Sequence, residues 1–151
     1  MDFYQDIKGE EVMGMQENKD VVRRYFEAVV NDCNLTVAEQ VMTTEMLMHM
    51  EPRLKMRSKA VPDWKVTIEH QIAERDMVVT IGTTRGTHVG EWFTPFGTLP
   101  PTGKHFAFTF TSTMRLENGL IAEITQSNWD WLELLQQLEI VPQGFGIGVD
   151  D

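Results

Sequence analysis

Two hydrophobic periods share this chain, and they occupy different halves of it. From Val21 to Val30 apolar residues return every three or four positions: Val21, Val22, Tyr25, Phe26, Val29 and Val30, with Arg23, Arg24 and Glu27 between them. From Trp64 onward they return at every second position. The first period puts apolar side chains on one stripe of a helix, the second on one face of a strand. A chain ordered this way is expected to be α+β, with N-terminal helices packed on a curved antiparallel sheet. A bent sheet under helices leaves a pocket between the layers, and aromatics and methionines are what line such pockets.

The helical half reads as follows. Asn18 suits an N-cap and Asp20 the first turn, and Asn31-Asp32 closes the helix. Thr36-Val37-Ala38-Glu39 resembles a capping box opening a short second helix. Met46 to Met50 reads as a strand or a turn. Glu51 to Pro62 is broken by Pro52 and Pro62 and reads as a loop.

The strand half starts with Trp64, Val66, Ile68, His70 and Ile72 on one face, which predicts burial of His70. Glu74-Arg75-Asp76 is a turn, and a second strand runs from Met77 to about His88. Gly90 to Lys104 reads as a loop holding Trp92, Phe93 and Phe96. His105 to Leu116 alternates Phe106, Phe108 and Phe110 with Thr109, Thr111 and Thr113. Glu117-Asn118-Gly119 is a hairpin signal, Leu120 to about Asn128 the returning strand, and Trp131 to Leu138 a final helix. One domain therefore covers 17–142. Residues 1–16 show no sustained periodicity and read as an extension, an arm for a partner subunit. Residues 143–151, rich in glycine and acid, read as a flexible tail.

Charge narrows the function classes. Thirteen basic residues face 23 acidic ones, a net charge of −10, which repels nucleic-acid phosphates and anionic lipid. No run approaches the ~20 apolar residues of a membrane span. The single cysteine, Cys33, excludes an intramolecular disulfide and fits a reducing, cytoplasmic setting. Four scattered histidines (His49, His70, His88, His105) give no zinc spacing, so no metal is expected. What fits is a small apolar or aromatic ligand.

Arg85-Gly86-Thr87-His88-Val89-Gly90-Glu91 followed by Pro100-Pro101-Thr102-Gly103-Lys104 resembles the "GTHxGE … PPTGK" pattern of the SnoaL-like polyketide (ester) cyclases. Pro62-Asp63-Trp64 with Val66, then Asn118 to Glu123, then Trp129-Asp130 with Leu134 to Leu138, resemble further pieces of that family in order. The resemblance implies a cone-shaped, nuclear-transport-factor-2-like barrel and a homodimer paired through the open sheet, where Thr109, Thr111 and Thr113 lie. It also implies cofactor-independent acid/base chemistry: a carboxylate enolises a carbonyl compound, and an intramolecular aldol reaction closes a ring. The chain departs from the family in three places. Only Met50 to Val61 stand where the family often has a third helix. A Trp common soon after the Glu of the "xGKIxE" piece is missing at Ile124 and Thr125. Glu139 replaces a Gly.

Asp130 matches the family's general base, and burial between Trp129 and Trp131 is expected to raise its pKa. An aspartate there also suits the N-cap of the last helix, and one side chain can do both. His88 matches the motif histidine, either as donor to an enolate or as a histidine tied to the backbone. His49, Tyr25, Trp92, Phe108 and Trp129 are the candidate substrate contacts. Three other readings stay open: a non-catalytic binding or dimerisation module, a dehydratase or isomerase, and an epoxide hydrolase. The last would need Arg85 or Arg115 beside Asp130.

Overall fold

A computed structural model describes residues 3–142 of the chain, with helices first and an antiparallel meander after them, as expected. The predicted tail, 143–151, lies outside the described residues. Helix α1 spans Phe3–Arg24, so residues 3–16 are its opening turns. The stretch lacks proline and is rich in Glu, Met and Gln, all good helix formers, although it carries no clear apolar stripe. Asn18 is therefore not a cap. It lies mid-helix, and its side-chain amide donates to the Arg75 carbonyl at 3.4 Å.

At Tyr25–Val30 the chain continues as a π-helical turn that buries Tyr25, Phe26, Val29 and Val30. Such wide turns are rare and often mark functional sites. Asn31 then imitates a neighbouring strand: it accepts from Val66 N at 2.7 Å and donates to Val66 O at 3.2 Å. Helix α2 (Leu35–Val41) is capped by Asn34, which accepts from Val37 N, so the cap falls two residues before Thr36.

The largest departure from expectation is α3, Thr44–Ala60, where the sequence predicts a strand or turn followed by a loop. Pro52 sits inside it, although an interior proline costs a helix about 3 kcal/mol. Tertiary contacts offset that cost. Thr43 caps the first turn by accepting from Met46 N. Met46, Leu54 and Ala60 are buried, and Arg57 donates to Val30 O at 2.9 Å. The apparent shortening of Met50 to Val61 is thus no deletion, since these residues belong largely to the third helix.

The main sheet is formed by β1 (Lys65–Glu74), β2 (Met77–Thr87), β5 (His105–Glu117) and β6 (Leu120–Trp129), in the order β1-β2-β5-β6. A bulge between Ile68 and His70 reverses the phase of β1. His70 and Ile72 therefore face solvent, and Gln71 and Ala73 turn inward, contrary to the expected burial of His70. Two more bulges bend β6 against β5, between Thr113/Met114 and between Arg115/Leu116 on the β5 side. The predicted loop after β2 contains a small hairpin, β3 (Trp92–Thr94) with β4 (Gly97–Leu99), because Trp92 and Leu99 bury into the core. Asn118 and Gly119, both with positive φ, make the β5–β6 turn. Helix α4 (Trp131–Gln137) covers the stretch of β5 that β6 leaves unpaired. Gln137 accepts from Ala107 N at 2.7 Å and donates to Ala107 O at 2.8 Å.

Candidate functional site

The inner face of the sheet carries the aromatic alternation of β5, and it is roofed by the π-helical turn, α3 and the β3–β4 hairpin. Between these layers lies a cavity of about 820 Å³. Its buried wall includes Tyr25, Phe26, Leu54, Trp64, Trp92 and Phe110, and exposed His49, Arg53, Phe93, Pro95 and Gln126 form its rim. All four tryptophans of the chain line it: Trp64, Trp92, Trp129 and Trp131. They pack edge to face or stacked, Trp64 on Trp92 at 5.6 Å and Trp129 on Trp131 at 5.0 Å, so the wall is pre-formed rather than assembled by a ligand.

Polar groups in the wall are few and mostly uncharged. Thr84 and Ser112 are buried in the sheet, and Ser127 lies on β6. The one carboxylate, Glu123, is held by Arg115 Nε at 3.2 Å. Arg57 projects from the last turn of α3, with its guanidinium 4.8 Å from the Trp64 ring centroid. Burial raises the pKa of the Tyr25 hydroxyl, partly countered by the Arg57 charge. Burial likewise lowers that of Arg57, countered by Tyr25 and Cys33.

The expected site residues divide. Tyr25, His49, Trp92 and Trp129 line the cavity. Phe108 does not: it is 2 % exposed and packs beneath the wall against Trp64, Phe106 and Trp129. Asp130 is exposed, where burial between indoles was expected. Strand alternation explains it. Trp129 pairs with inward-facing Phe110, so the next residue points out. Its Oδ1 accepts from Glu133 N at 3.0 Å and caps α4, and it shares a shallow outer depression with Thr109, Thr111 and Asn128. Arg115 is paired with Glu117 and Glu123 rather than with Asp130.

His88 is fully buried and lies outside the cavity wall. It belongs to a clamp that ties the long β2–β5 connection to the end of α3. Its Nδ1 meets Thr102 Oγ1 at 3.0 Å, its backbone N donates to Lys104 O, and Gly103 N donates to its carbonyl at 2.7 Å. Val89 N and Gly90 N both donate to Ala60 O. Gly90 packs so closely that a Cβ there would stand 2.6 Å from Lys59 O. Asp63 completes the clamp by accepting from Thr87 N and Thr87 Oγ1, both at 2.7 Å. Burial pushes the His88 ring below its ordinary pKa, with the Gly90 backbone partly countering it. Among the described residues no group of His, Cys, Asp and Glu is arranged to hold a metal, and no helix is long and apolar enough to cross a membrane.

The model of the SnoaL-like polyketide cyclases matches residues 19–138. The chain belongs to that family. Solved structures agree on the fold. TsrD from Streptomyces laurentii superposes with a TM-score of 0.74 at 19 % identity, over 83 % of this chain and 97 % of TsrD. AclR from Streptomyces galilaeus, a candidate hydroxylase, gives 0.69 at 20 % identity, covering 85 % of each chain. A SnoaL-like polyketide cyclase from Agrobacterium tumefaciens gives 0.66 at 14 % identity, over 80 % of this chain and 97 % of the other. No curated protein matches the chain in sequence. At such identities the structures speak for the fold, and different activities sit on it.

Arg57 and the π-helical turn carried little signal in the sequence. Arg57 lay in a segment read as a loop. Its one clue was its place in the spacing Met46, Met50, Leu54, Arg57, which is helical across Pro52.

Proposed function

We propose that this SnoaL-like cyclase takes a small aromatic or polyketide-like carbonyl compound into the cavity and enolises or cyclises it by acid/base chemistry without a cofactor. The observation that carries this reading is the cavity itself, about 820 Å³ and walled by four tryptophans. It is large enough for a fused-ring compound, and its aromatic faces favour flat, apolar ones. Exclusion of water there strengthens every hydrogen bond to a developing enolate.

The family's pattern assigns the base to Asp130. Its Oδ2 has no hydrogen bond among the described residues, and the flanking Trp129 and Trp131 both belong to the cavity wall. Proton abstraction by Asp130 therefore requires a local turn of the β6–α4 junction that carries the carboxylate inward. A second reading, a non-catalytic binder of the same compounds, is favoured by the outward carboxylate.

Asp130→Asn separates the two. Asparagine caps a helix about as well as aspartate, so the variant folds under either reading. Ligand binding is read from quenching of the tryptophans, and turnover of aromatic poly-β-keto compounds, as free acid and as ester, is followed in parallel. Loss of a positioned base costs roughly 100- to 10,000-fold in rate with binding retained. Turnover within a few-fold of wild type removes Asp130 as the base. We further propose a cytoplasmic homodimer that pairs through the outer face of the sheet, at Thr109, Thr111 and Thr113. A monomer of 17.4 kDa in light scattering at micromolar concentration would exclude the pairing.

A further inference from the structure

The chain carries a net charge of −10, yet its cavity is lined by two arginines and by one carboxylate that is already paired. Arg53 is at the rim and Arg57 in the wall. Arg57 enters no ion pair among the described residues. Its guanidinium spends one donor, Nη2, on Val30 O. Nε is buried without a partner, and so is Nε1 of Trp64, on whose ring the guanidinium rests. Nη1 makes no hydrogen bond among the described residues, and Arg57 lines the cavity. The same holds for Tyr25 Oη, on a residue only 3 % exposed. Glu123 is bound to Arg115, and His49 lies at the rim.

A cation partly withdrawn from water, with spare donors and no counter-charge, is costly unless something completes it. The planar fork of an arginine matches a carboxylate, and a phenol beside it adds a third donor. Resting on the proposed reading of the cavity, we infer that Arg57 and Tyr25 form an anion site, and that the ligand is a flat aromatic compound bearing a free carboxylate rather than its ester. The carboxylate seats on Arg57 Nη1 and Tyr25 Oη while the ring system stacks on the tryptophans. The π-helical turn supplies both the Tyr25 hydroxyl and the Val30 carbonyl that anchors Arg57, so this irregular turn builds the site.

The probes are 2-naphthoate and methyl 2-naphthoate, which present the same ring system with and without the charge. Titration calorimetry of the full chain gives both affinities. The expected result is at least about tenfold tighter binding of the acid, the size of one charge-assisted hydrogen bond. Arg57→Gln abolishes the preference by weakening the acid alone, and Tyr25→Phe reduces it by a few-fold. Lys55→Gln removes one positive charge from the same helix, outside the cavity, and leaves the preference intact. Circular dichroism confirms that each variant is folded. Should Arg57→Gln not fold, Arg57→Lys, which keeps the charge and loses the fork, is expected to retain only part of the preference. Tight binding of the ester with equal or weaker binding of the acid overturns the inference but leaves the proposed function standing. Binding of neither probe overturns both.

Discussion

The clamp around His88 and the cavity around Arg57 meet at the same end of α3, where Ala60 O holds the clamp and Arg57, one turn earlier, lines the cavity, yet the two regions are built differently. The clamp is made of residues that match the family's patterns: Asp63, Thr87, His88, Gly90, Thr102 and Gly103. Most of its polar groups are hydrogen-bonded within it, although His88 Nε2 is buried without a partner, and Gly90 is packed tightly against the end of α3. The cavity wall holds groups that none of those patterns names, Tyr25, Arg57 and Thr84 among them, and two of its polar atoms are left without partners. Six of the residues that identify the family hold a backbone in shape here, while Trp64 and Trp129 from the same patterns line the cavity. The polar groups Tyr25 and Arg57 are supplied separately, by a helical turn of unusual pitch and by a helix that runs through a proline. A motif match therefore speaks first for architecture, and the chemistry has to be read from what faces the empty space.

If the clamp is architectural, damage to it shows up as lost stability with the cavity's preferences unchanged in whatever remains folded. The largest effect is expected at Gly90→Ala. The new methyl meets Lys59 O at 2.6 Å and Ala60 Cα at 3.1 Å, both backbone atoms that no side-chain rotation can move. Forcing such a contact costs about 3 kcal/mol, at the upper end for overpacking. Urea unfolding measures it. A loss under 1 kcal/mol would mean that the β2–β3 connection shifts away from α3 freely, and that the clamp does not fix the roof of the cavity.

His88→Gln has a smaller effect and a sharper meaning. It removes the ring that meets Thr102 and packs 5.7 Å from Trp92, and it leaves the half-buried Thr102 hydroxyl with the Lys104 backbone N–H as its remaining partner. A loss of roughly 1–3 kcal/mol is expected, with ligand affinity and any turnover per folded molecule within a few-fold of wild type. Turnover that collapses while urea unfolding stays normal would return His88 to the chemistry and erase the contrast between the two regions.

The architecture is unevenly legible from the amino acids alone, and the reasons are physical. Strand β5 is legible because it keeps a period of two over a half-buried face, β2 because it is rich in Val, Thr and Ile, and β6 because it returns from a strong turn signal. The β5–β6 turn was legible because Asn118-Gly119 can hold positive φ at both positions. Helix α3 was hidden by Pro52, since a local rule about proline was outweighed by Leu54, Ala60 and the Arg57 bond to Val30. His70 was misplaced because a bulge at Glu69 reverses the alternation, and nothing in its neighbours announces a bulge. At the site, the aromatic wall was partly visible as aromatics in an otherwise loop-like stretch, whereas the Arg57–Tyr25 pair needed two segments 32 positions apart to be brought together. Asp130 fills the cap role, one of the two its sequence left open, and its exposure differs from expectation because the direction of one residue at a strand end depends on the register of the whole strand.

The smallest effect expected is a slope with pH, and it tests the burial of His88 directly. The folded ring has a pKa below its ordinary 6.5, because burial disfavours the charged form. The unfolded chain therefore takes up a proton at a pH where the folded protein does not. The contribution of this group to stability is complete above about 6.5, is lost as pH falls from there through the folded value, and stops changing below it. Asp63 acts in a separate window. Desolvation raises its pKa, but the Thr87 hydroxyl and amide outweigh that, so the net shift is downward and its contribution is lost only below the ordinary 3.8. Melting temperatures between pH 7.5 and 5 thus isolate the histidine. Wild type should lose stability across that range, and His88→Gln, starting lower, should lose less. Equal slopes in the two proteins would mean that His88 takes up its proton as easily folded as unfolded, and the clamp would then have to be open to water.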